Sequence, residues 1–295
     1  MLKNYKKIRA LVITIFIMLI LMVLAIELVK VKGYYLIYDW MYFIIIYAIL
    51  FLSILLCSKN KYLKWTVYSA ILIIFILNTK GLLDVSKDKV LIFKSSNLKN
   101  EIIIKEVIKK QDGADNVVKA LDLKRKFYLF GKQMDEYPTE NLYRSFSSGT
   151  YKVNWIKDNI ATVNYLCDKD GDIKQHVYTF NFENPIRYSY VTASITGIWA
   201  DKENPNNTLN VENGKFIYVK DGQTFVYDTA NAEQKGYNAV VFKGEGRVPD
   251  LSIVSNEGNI IGNNCLLNKG ATLFIGYVSL EDEKYGLFER VGGGD

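Results

Sequence analysis

Three long apolar runs crowd into the first ninety residues and constrain this chain more than any other feature of it. Residues 10–29 form a run of 20 with one charge, Glu27, near its end. At about 1.5 Å per residue this is about 30 Å of helix, the thickness of a bilayer's hydrocarbon core. Residues 34–57 form a second run of 24 that carries only Asp39, and residues 65–83 a third, interrupted by Lys80. The first run is too long for a cleavable signal sequence and lacks a small-residue cleavage site, so it reads as an uncleaved span. The connectors 30–33 and 58–64 are short, which predicts three antiparallel helices packed as neighbours.

Charge sets the expected orientation. With the N-terminus inside, the cytoplasmic pieces carry Lys3, Lys6, Lys7, Arg9, Lys59, Lys61 and Lys64, against Lys30 and Lys32 outside. That seven-to-two asymmetry follows the positive-inside rule, and an odd number of spans then places residues from about 84 onward outside the cytoplasm. Trp40, Tyr42, Trp65 and Tyr68 fall near span ends, where interfacial aromatics belong. Glu27 and Asp39 fall at the outer interface, within reach of Lys30, Lys32 and water. No charge remains at the midplane, which argues against a channel or transporter. The expected location is the cell membrane, multi-pass, with the lipid bilayer as the first partner.

The net charge of +6 does not mark a nucleic-acid binder. Residues 1–89 hold 12 Lys and Arg against 4 Asp and Glu, so the excess lies beside the apolar runs and not on a soluble face. Hydrophobic content of 49% excludes disorder, and one His with three Cys leaves little for a His- or Cys-based metal site. No cofactor is implied.

After residue 84 the pattern changes to short β-rich runs separated by Asn, Asp and Gly. Runs at 90–93, 101–108, 127–130, 151–156, 161–167 and 176–182 read as strands, with Asp158-Asn159 and Asp170-Gly171 as hairpin turns. Residues 116–126 admit a short helix. A second block holds strand runs at 208–211, 215–219, 224–227, 239–242, 251–254, 259–267, 272–278 and 285–291. Asn213-Gly214 and Asp221-Gly222 are its strongest hairpin turns, because both dipeptides tolerate positive φ. Eight or nine short strands at this spacing predict an up-and-down barrel.

Gly197-Ile198-Trp199 opens that block and Arg290 stands near its end. A Gly-x-Trp in the first strand with an Arg in the last resembles the lipocalin-like (calycin) superfamily. The resemblance covers about residues 193–291. It implies that Gly197, Trp199 and Arg290 form the barrel floor, with Arg290 packed across the Trp199 ring as a cation–π pair. The short strands predict a narrow interior filled by Phe216, Phe225, Phe242 and Phe274, which puts the family's ligand pocket in doubt. The middle block, with Ser147-Ser148-Gly149-Thr150-Tyr151-Lys152-Val153-Asn154-Trp155 and Ala161-Thr162-Val163-Asn164-Tyr165, resembles uncharacterised exported domains of Gram-positive bacteria. The expected fold is therefore a membrane anchor of three α-helices (1–87), a small antiparallel β-rich domain (88–192) and a lipocalin-like β-barrel (193–295). The part from 88 onward is expected to fold without the helices.

Candidate chemistry is thin. Asp168, Asp170 and Asp172 gather around Gly171, as calcium loops arrange carboxylates, but no later Glu or flanking helices complete such a loop. A solvated hairpin turn explains them better. His176 is the one histidine, and Ser147 and Ser148 are not in Gly-x-Ser-x-Gly. The cations from Lys105 to Lys132 could meet anionic lipid or a wall polyanion, but a solvated face is the better reading, since acids are interspersed. A Cys167–Cys265 disulfide is the lesser reading beside two buried thiols. No catalytic residue is assigned. The expected function is an extracytoplasmic binding or interaction protein without catalysis, its ligand or protein partner unknown. The alternatives are a cell-wall hydrolase and a membrane-held immunity protein against a toxin.

The topology carries a direct test. With the native cysteines replaced by Ser, a Cys added after Asp295 should react with an impermeant thiol reagent on intact cells. Reaction only after lysis would reverse the orientation.

Overall fold

The computed structural model describes residues 2–57, 61–110, 116–140, 142–169, 171–180, 191–262 and 264–293. The chain divides into two compact units. The first joins Met1–Ile92 to Ile102–Ser147, and the second joins Phe93–Glu101 to Ser148–Asp295.

The first unit begins with the apolar runs. Helix α1 spans Leu2–Val31, α2 spans Trp40–Leu56 and α3 spans Lys61–Val85. α1 packs on α2 and α2 on α3. Close approach of the second pair depends on Gly81, where a Cβ would lie 2.5 Å from the Phe43 ring. Polar side chains support the same contact: Asn78 Nδ2 donates to Phe43 O at 3.1 Å, and Tyr47 and Thr79 hydroxyls lie 2.8 Å apart. α1 and α3 each contain 24 residues long and apolar enough to cross a membrane. The second run corrects the expectation of one helix over 34–57. Gly33 turns the chain at φ +76°, and Tyr34–Leu36 form strand β1, leaving α2 with 17 residues.

β1 leaves the helical run because a sheet edge takes it. β2 (Lys89–Lys94), β3 (Glu101–Lys110), β4 (Asn116–Phe127) and β5 (Phe130–Tyr137) form a sheet with β1 in the order β1-β5-β4-β3-β2. Tyr34, Tyr35 and Leu36 pair antiparallel with Lys132, Gly131 and Phe130. Two expectations are corrected here. Residues 116–126 are strand, since Val118 and Ala120 bury one face while Leu121 and Leu123 bury the other across a bulge. Residues 127–130 are the β4–β5 turn. This sheet is also not confined to residues after 87, because its edge strand comes from between α1 and α2.

Ile37, Ile103, Val107, Leu121 and Leu123 form the core of this sheet's inner face. Lys105 shares it. Its side chain is 2% exposed, and its ammonium lies 2.5 Å from Asp39 Oδ2 and 2.6 Å from Leu36 O. Lys105 therefore leaves the solvated cationic face expected for it, and Asp39 pairs with it. Burial holds the Lys105 pKa below the usual lysine range, against the opposing pull of Asp39. On the other face Glu106, fully buried, accepts from Phe146 N and Ser147 N at 3.1 Å and from Arg144 Nε at 3.2 Å. These bonds pin a short helix, α4 (Ser145–Ser148), to β3.

The second unit holds the remaining strands. β6 (Tyr151–Lys157), β7 (Ile160–Leu166) and β8 (Ile173–Thr179) form a three-stranded meander. The expected strand over 176–182 ends at Thr179, and residues 181 and 182 lie outside the described residues. A one-turn helix, α5 (Val191–Ser194), precedes the barrel. The barrel comprises β9 (Gly197–Asp201), β10 (Thr208–Glu212), β11 (Lys215–Lys220), β12 (Gln223–Asp228), β13 (Ala232–Lys235), β14 (Ala239–Phe242), β15 (Leu251–Ser255), β16 (Thr272–Tyr277) and β17 (Gly286–Gly292). The strand order β12-β11-β10-β9-β17-β16-β15-β14-β13 joins first strand to last and leaves one seam, between β12 and β13. A 3-10 turn at Thr229–Asn231 spans the seam along the chain. The Asn213-Gly214 and Asp221-Gly222 turns have all four φ angles positive, as a type I′ hairpin requires. The strand expected over 259–267 is corrected: residue 263 lies outside the described residues, and the described remainder is turn and loop with an isolated bridge from Ile261 to Leu267. β13 was not expected, because Ala-Glu-Gln-Lys has no apolar alternation to show it.

The two compact units follow packing, whereas the boundaries expected at 87/88 and 192/193 follow composition. The middle block is shared: β3–β5 group with the helices, and β6–β8 group with the barrel.

The Lys105–Asp39 pair should respond asymmetrically to truncation. Asp39→Asn leaves a buried ammonium uncompensated and should cost about 3 kcal/mol. Lys105→Met leaves a carboxylate that water reaches and should cost less. Thermal unfolding of the full chain in detergent, followed by circular dichroism, checks the order.

Candidate functional site

The barrel interior is where a barrel of this kind would hold a ligand, and here side chains fill it. Strand alternation sends Trp199, Leu209, Val211, Phe216, Tyr218, Phe242, Leu251, Ile253, Leu273, Ile275 and Phe288 inward into one continuous cluster. Phe216 and Phe242 rings stand 4.2 Å apart, and Tyr218 lies 6.0 Å from both Tyr277 and Phe288. Phe216, Phe225 and Phe242 take the inward places expected of them. Phe274 does not: between Leu273 and Ile275 it faces outward, packing with Ile160, Ala239 and Val254.

Gly197, Trp199 and Arg290 meet at one end. Trp199 is fully buried, and its Nε1 donates to Ile195 O at 2.8 Å. Arg290 pairs directly with Trp199 across β9 and β17. Gly197 has φ +134°, and a Cβ there would lie 2.8 Å from Gly292 O and 3.0 Å from Arg290 Nε. The Gly-x-Trp spacing thus has two separate causes: the Trp fills the core, and the Gly clears room for the arginine. The guanidinium donates to Leu267 O and Gly293 O. Carbonyl oxygens hold it, and a cation–π contact with Trp199 is not among the contacts of the described residues.

Aromatic side chains close the opposite end. Tyr277 lies under Lys220, whose Nζ stands 4.5 Å from the ring centroid and 3.0 Å from Glu283 Oε1. Burial, with Glu283 and Asp221 nearby, pushes the Tyr277 phenol up to about 12. Burial also holds the Tyr218 and Tyr227 phenols well above the usual range. All three stay protonated at neutral pH; Tyr218 and Tyr227 are buried in the core, and Tyr277 is part-exposed. What opens to solvent is a depression of about 430 Å³ lined by Lys220, Gln223, Phe225, Arg247 and Tyr277. A second depression, of about 400 Å³, lies where β6 meets the barrel, beside Lys152, Trp155, Asp282 and Tyr285.

Between the three-stranded meander and the barrel wall runs a buried polar chain that the sequence did not reveal. Asn164 Nδ2 donates to Ser279 O at 2.7 Å, and Gln175 Nε2 donates to Asn164 Oδ1 at 2.8 Å and Tyr285 OH at 3.0 Å. Ser252 Oγ donates to Gln175 Oε1 at 2.6 Å. Each is an ordinary amide, hydroxyl or carbonyl, and together they bond the meander to β15 and the β16–β17 loop. Such a network specifies register rather than reactivity.

The remaining candidates stay apart. Asp172 lies 3.6 Å from Lys243, which also pairs with Asp250 at 2.6 Å, and Asp170 lies outside the described residues. Among the described residues no three His, Cys, Asp or Glu side chains gather as a metal site. The His176 ring lies 4.8 Å from Tyr178 on β8, and the Ser147 hydroxyl donates to Glu106. Cys167 is buried, Cys265 is exposed, and both are free thiols.

Truncating Trp199 to Ala should cost about 3–5 kcal/mol as a cavity opens. Arg290→Ala should cost about 1–2 kcal/mol through lost stem packing and carbonyl bonds. The double variant should cost less than the sum, since the two side chains are neighbours. Urea unfolding of the full chain in detergent measures all three, and small additive effects would remove the floor role.

Comparison of the chain with protein-family models, with characterised proteins and with solved structures finds no match.

Proposed function

We propose that this chain is a membrane-anchored, non-catalytic interaction protein that presents a lipocalin-like barrel and its associated sheets outside the cytoplasm. The observation that carries the reading is the filled barrel. An interior occupied by Trp199, Phe216, Tyr218 and Phe242 leaves recognition to outer surfaces. A hydrolase would need a concave site with carboxylates of shifted pKa. Among the described residues outside the helices, Asp88 is the one carboxylate pushed upward, by burial, and its oxygen accepts from Ile108 N.

The anchor rests on surface chemistry. Ile17, Met18, Leu21, Leu72, Ile76 and Leu77 are all more than half exposed, a cost that water would impose and lipid would not. Sheet pairing supports three spans. β1 follows α1 and β2 follows α3, and both belong to one sheet, so α1 and α3 end on the same side. α2 leaves that side and α3 returns to it, so the two cross together. α2 is about 26 Å long, a few Å short of a typical core, a mismatch that bilayer thinning absorbs.

Membranes carrying the full chain should retain it through alkaline carbonate and release it to detergent. The purified protein should leave cell-wall glycan intact. Release by carbonate would remove the anchor, and glycan cleavage would overturn the non-catalytic reading.

A further inference from the structure

The β4–β5 hairpin ends in Lys124-Arg125-Lys126-Phe127-Tyr128-Leu129-Phe130-Gly131-Lys132. Its tip does not stand clear of the helices. Leu129 and Phe130 pack on the cluster formed by Ile26 of α1, Leu36 of β1 and Ile45 of α2. Ile26 lies five residues inside the end of α1, about 7 Å down the helix. The tip is thus held beside the apolar part of α1, not above it.

Across the sheet, Leu36 pairs with Phe130 and Phe130 with Phe127, making one row over β1, β5 and β4. The helices cover the first two. Phe127, third in the row, runs past them and is 69% exposed, and Tyr128 at the turn is 92% exposed. Tyr38 and Trp40, at the start of α2, are exposed at the same end. Two residues further along β5, about 7 Å from the apolar row, Lys132 stands directly opposite Lys124. Like charges in that position repel. Lys124, Lys126 and Lys132 have no ion-pair partner among the described residues. Arg125 is turned inward on the loop, with its guanidinium donating to Tyr128 O at 2.7 Å.

We propose that this hairpin tip is a second membrane contact, seated in the headgroup layer of an anionic bilayer. Phe127 and Tyr128 enter the upper acyl region, and Lys124, Lys126 and Lys132 meet lipid phosphates. The proposal rests on the membrane reading above and adds to it a specific depth and lipid charge. Two features select lipid over a protein partner. The exposed apolar row is continuous with the helix surface that lipid would cover, and the aromatic-then-cationic order matches an interface crossed from inside outward. The contact would hold the sheet at a fixed height and tilt on the bilayer, since β5 also carries β1.

The test uses the full chain in nanodiscs of phosphatidylcholine, with or without phosphatidylglycerol. Cys57 and Cys265 are replaced by Ser, and buried Cys167 is retained. A polarity-sensitive fluorophore is placed in turn at Tyr128→Cys, at Leu72→Cys within α3 and at Asn206→Cys in the exposed β9–β10 loop. The expected result is that shallow doxyl-labelled lipid quenches positions 128 and 72, while aqueous iodide quenches 206 and spares 128. Phosphatidylglycerol should raise the lipid quenching at 128 roughly twofold, and Lys124→Gln with Lys132→Gln should abolish that rise. If 72 is quenched by lipid and 128 behaves like 206, the tip proposal is overturned and the anchor stands. If 72 is not quenched by lipid, both fall. Shielding of 128 from lipid and iodide alike would assign the tip to a protein and overturn the proposal.

Discussion

Three residues, Tyr34–Leu36, determine how the first unit is built. They lie between two apolar helices, yet they add an edge strand to a sheet whose other strands come after the third helix. Backbone pairing of Tyr34–Leu36 with Phe130–Lys132 leaves the helices and the sheet no independent arrangement. The Lys105 ammonium reinforces the joint by reaching Leu36 O and Asp39, one on the strand and one at the start of the helix that follows. A charge buried to this degree is tolerated only with such partners, because desolvation otherwise exceeds the Coulombic gain. The same joint brings Leu129 and Phe130 down to Ile26 and Ile45, so the sheet's lower edge shares its packing with the helices.

The second unit uses different physics. Its barrel is held by interdigitated aromatics, and its meander is attached through amides and hydroxyls that satisfy one another. Filling the barrel gives cohesion at the cost of an enclosed site. The end of the barrel at Lys220 and Tyr277 carries one part-exposed neutral phenol with a charge pair over it.

Much of this architecture was legible. The apolar runs announced α1 and α3 because a continuous 20-residue stretch has few soluble uses. The two type I′ turns announced their hairpins because Asn-Gly and Asp-Gly accept positive φ cheaply. Gly197, Trp199 and Arg290 stood out through the resemblance to a lipocalin-like barrel floor, whereas the room that Gly197 leaves for the arginine is visible only in the structure. What escaped detection depended on partners distant in sequence. Tyr-Tyr-Leu at 34–36 continues an apolar run, and nothing local distinguishes a helix start from an edge strand. Lys105 sits among other lysines, and its burial follows from which face of β3 meets Ile37. Phe274 alternates correctly, but its direction follows from the strand's register and not from its hydrophobicity.

The sequence by itself determined the type of most elements, the strongest turns and the separation of an apolar, basic first third from a β-rich remainder. These rest on local periodicity and backbone chemistry, which neighbouring residues carry. The tertiary structure alone decided which strands join, that the middle block is shared between two units, that Phe274 faces out of the barrel and that Lys105 is inside. Those outcomes depend on long-range pairing and on which of two faces of a strand is covered, and a period of two residues names the faces without saying what lies against each.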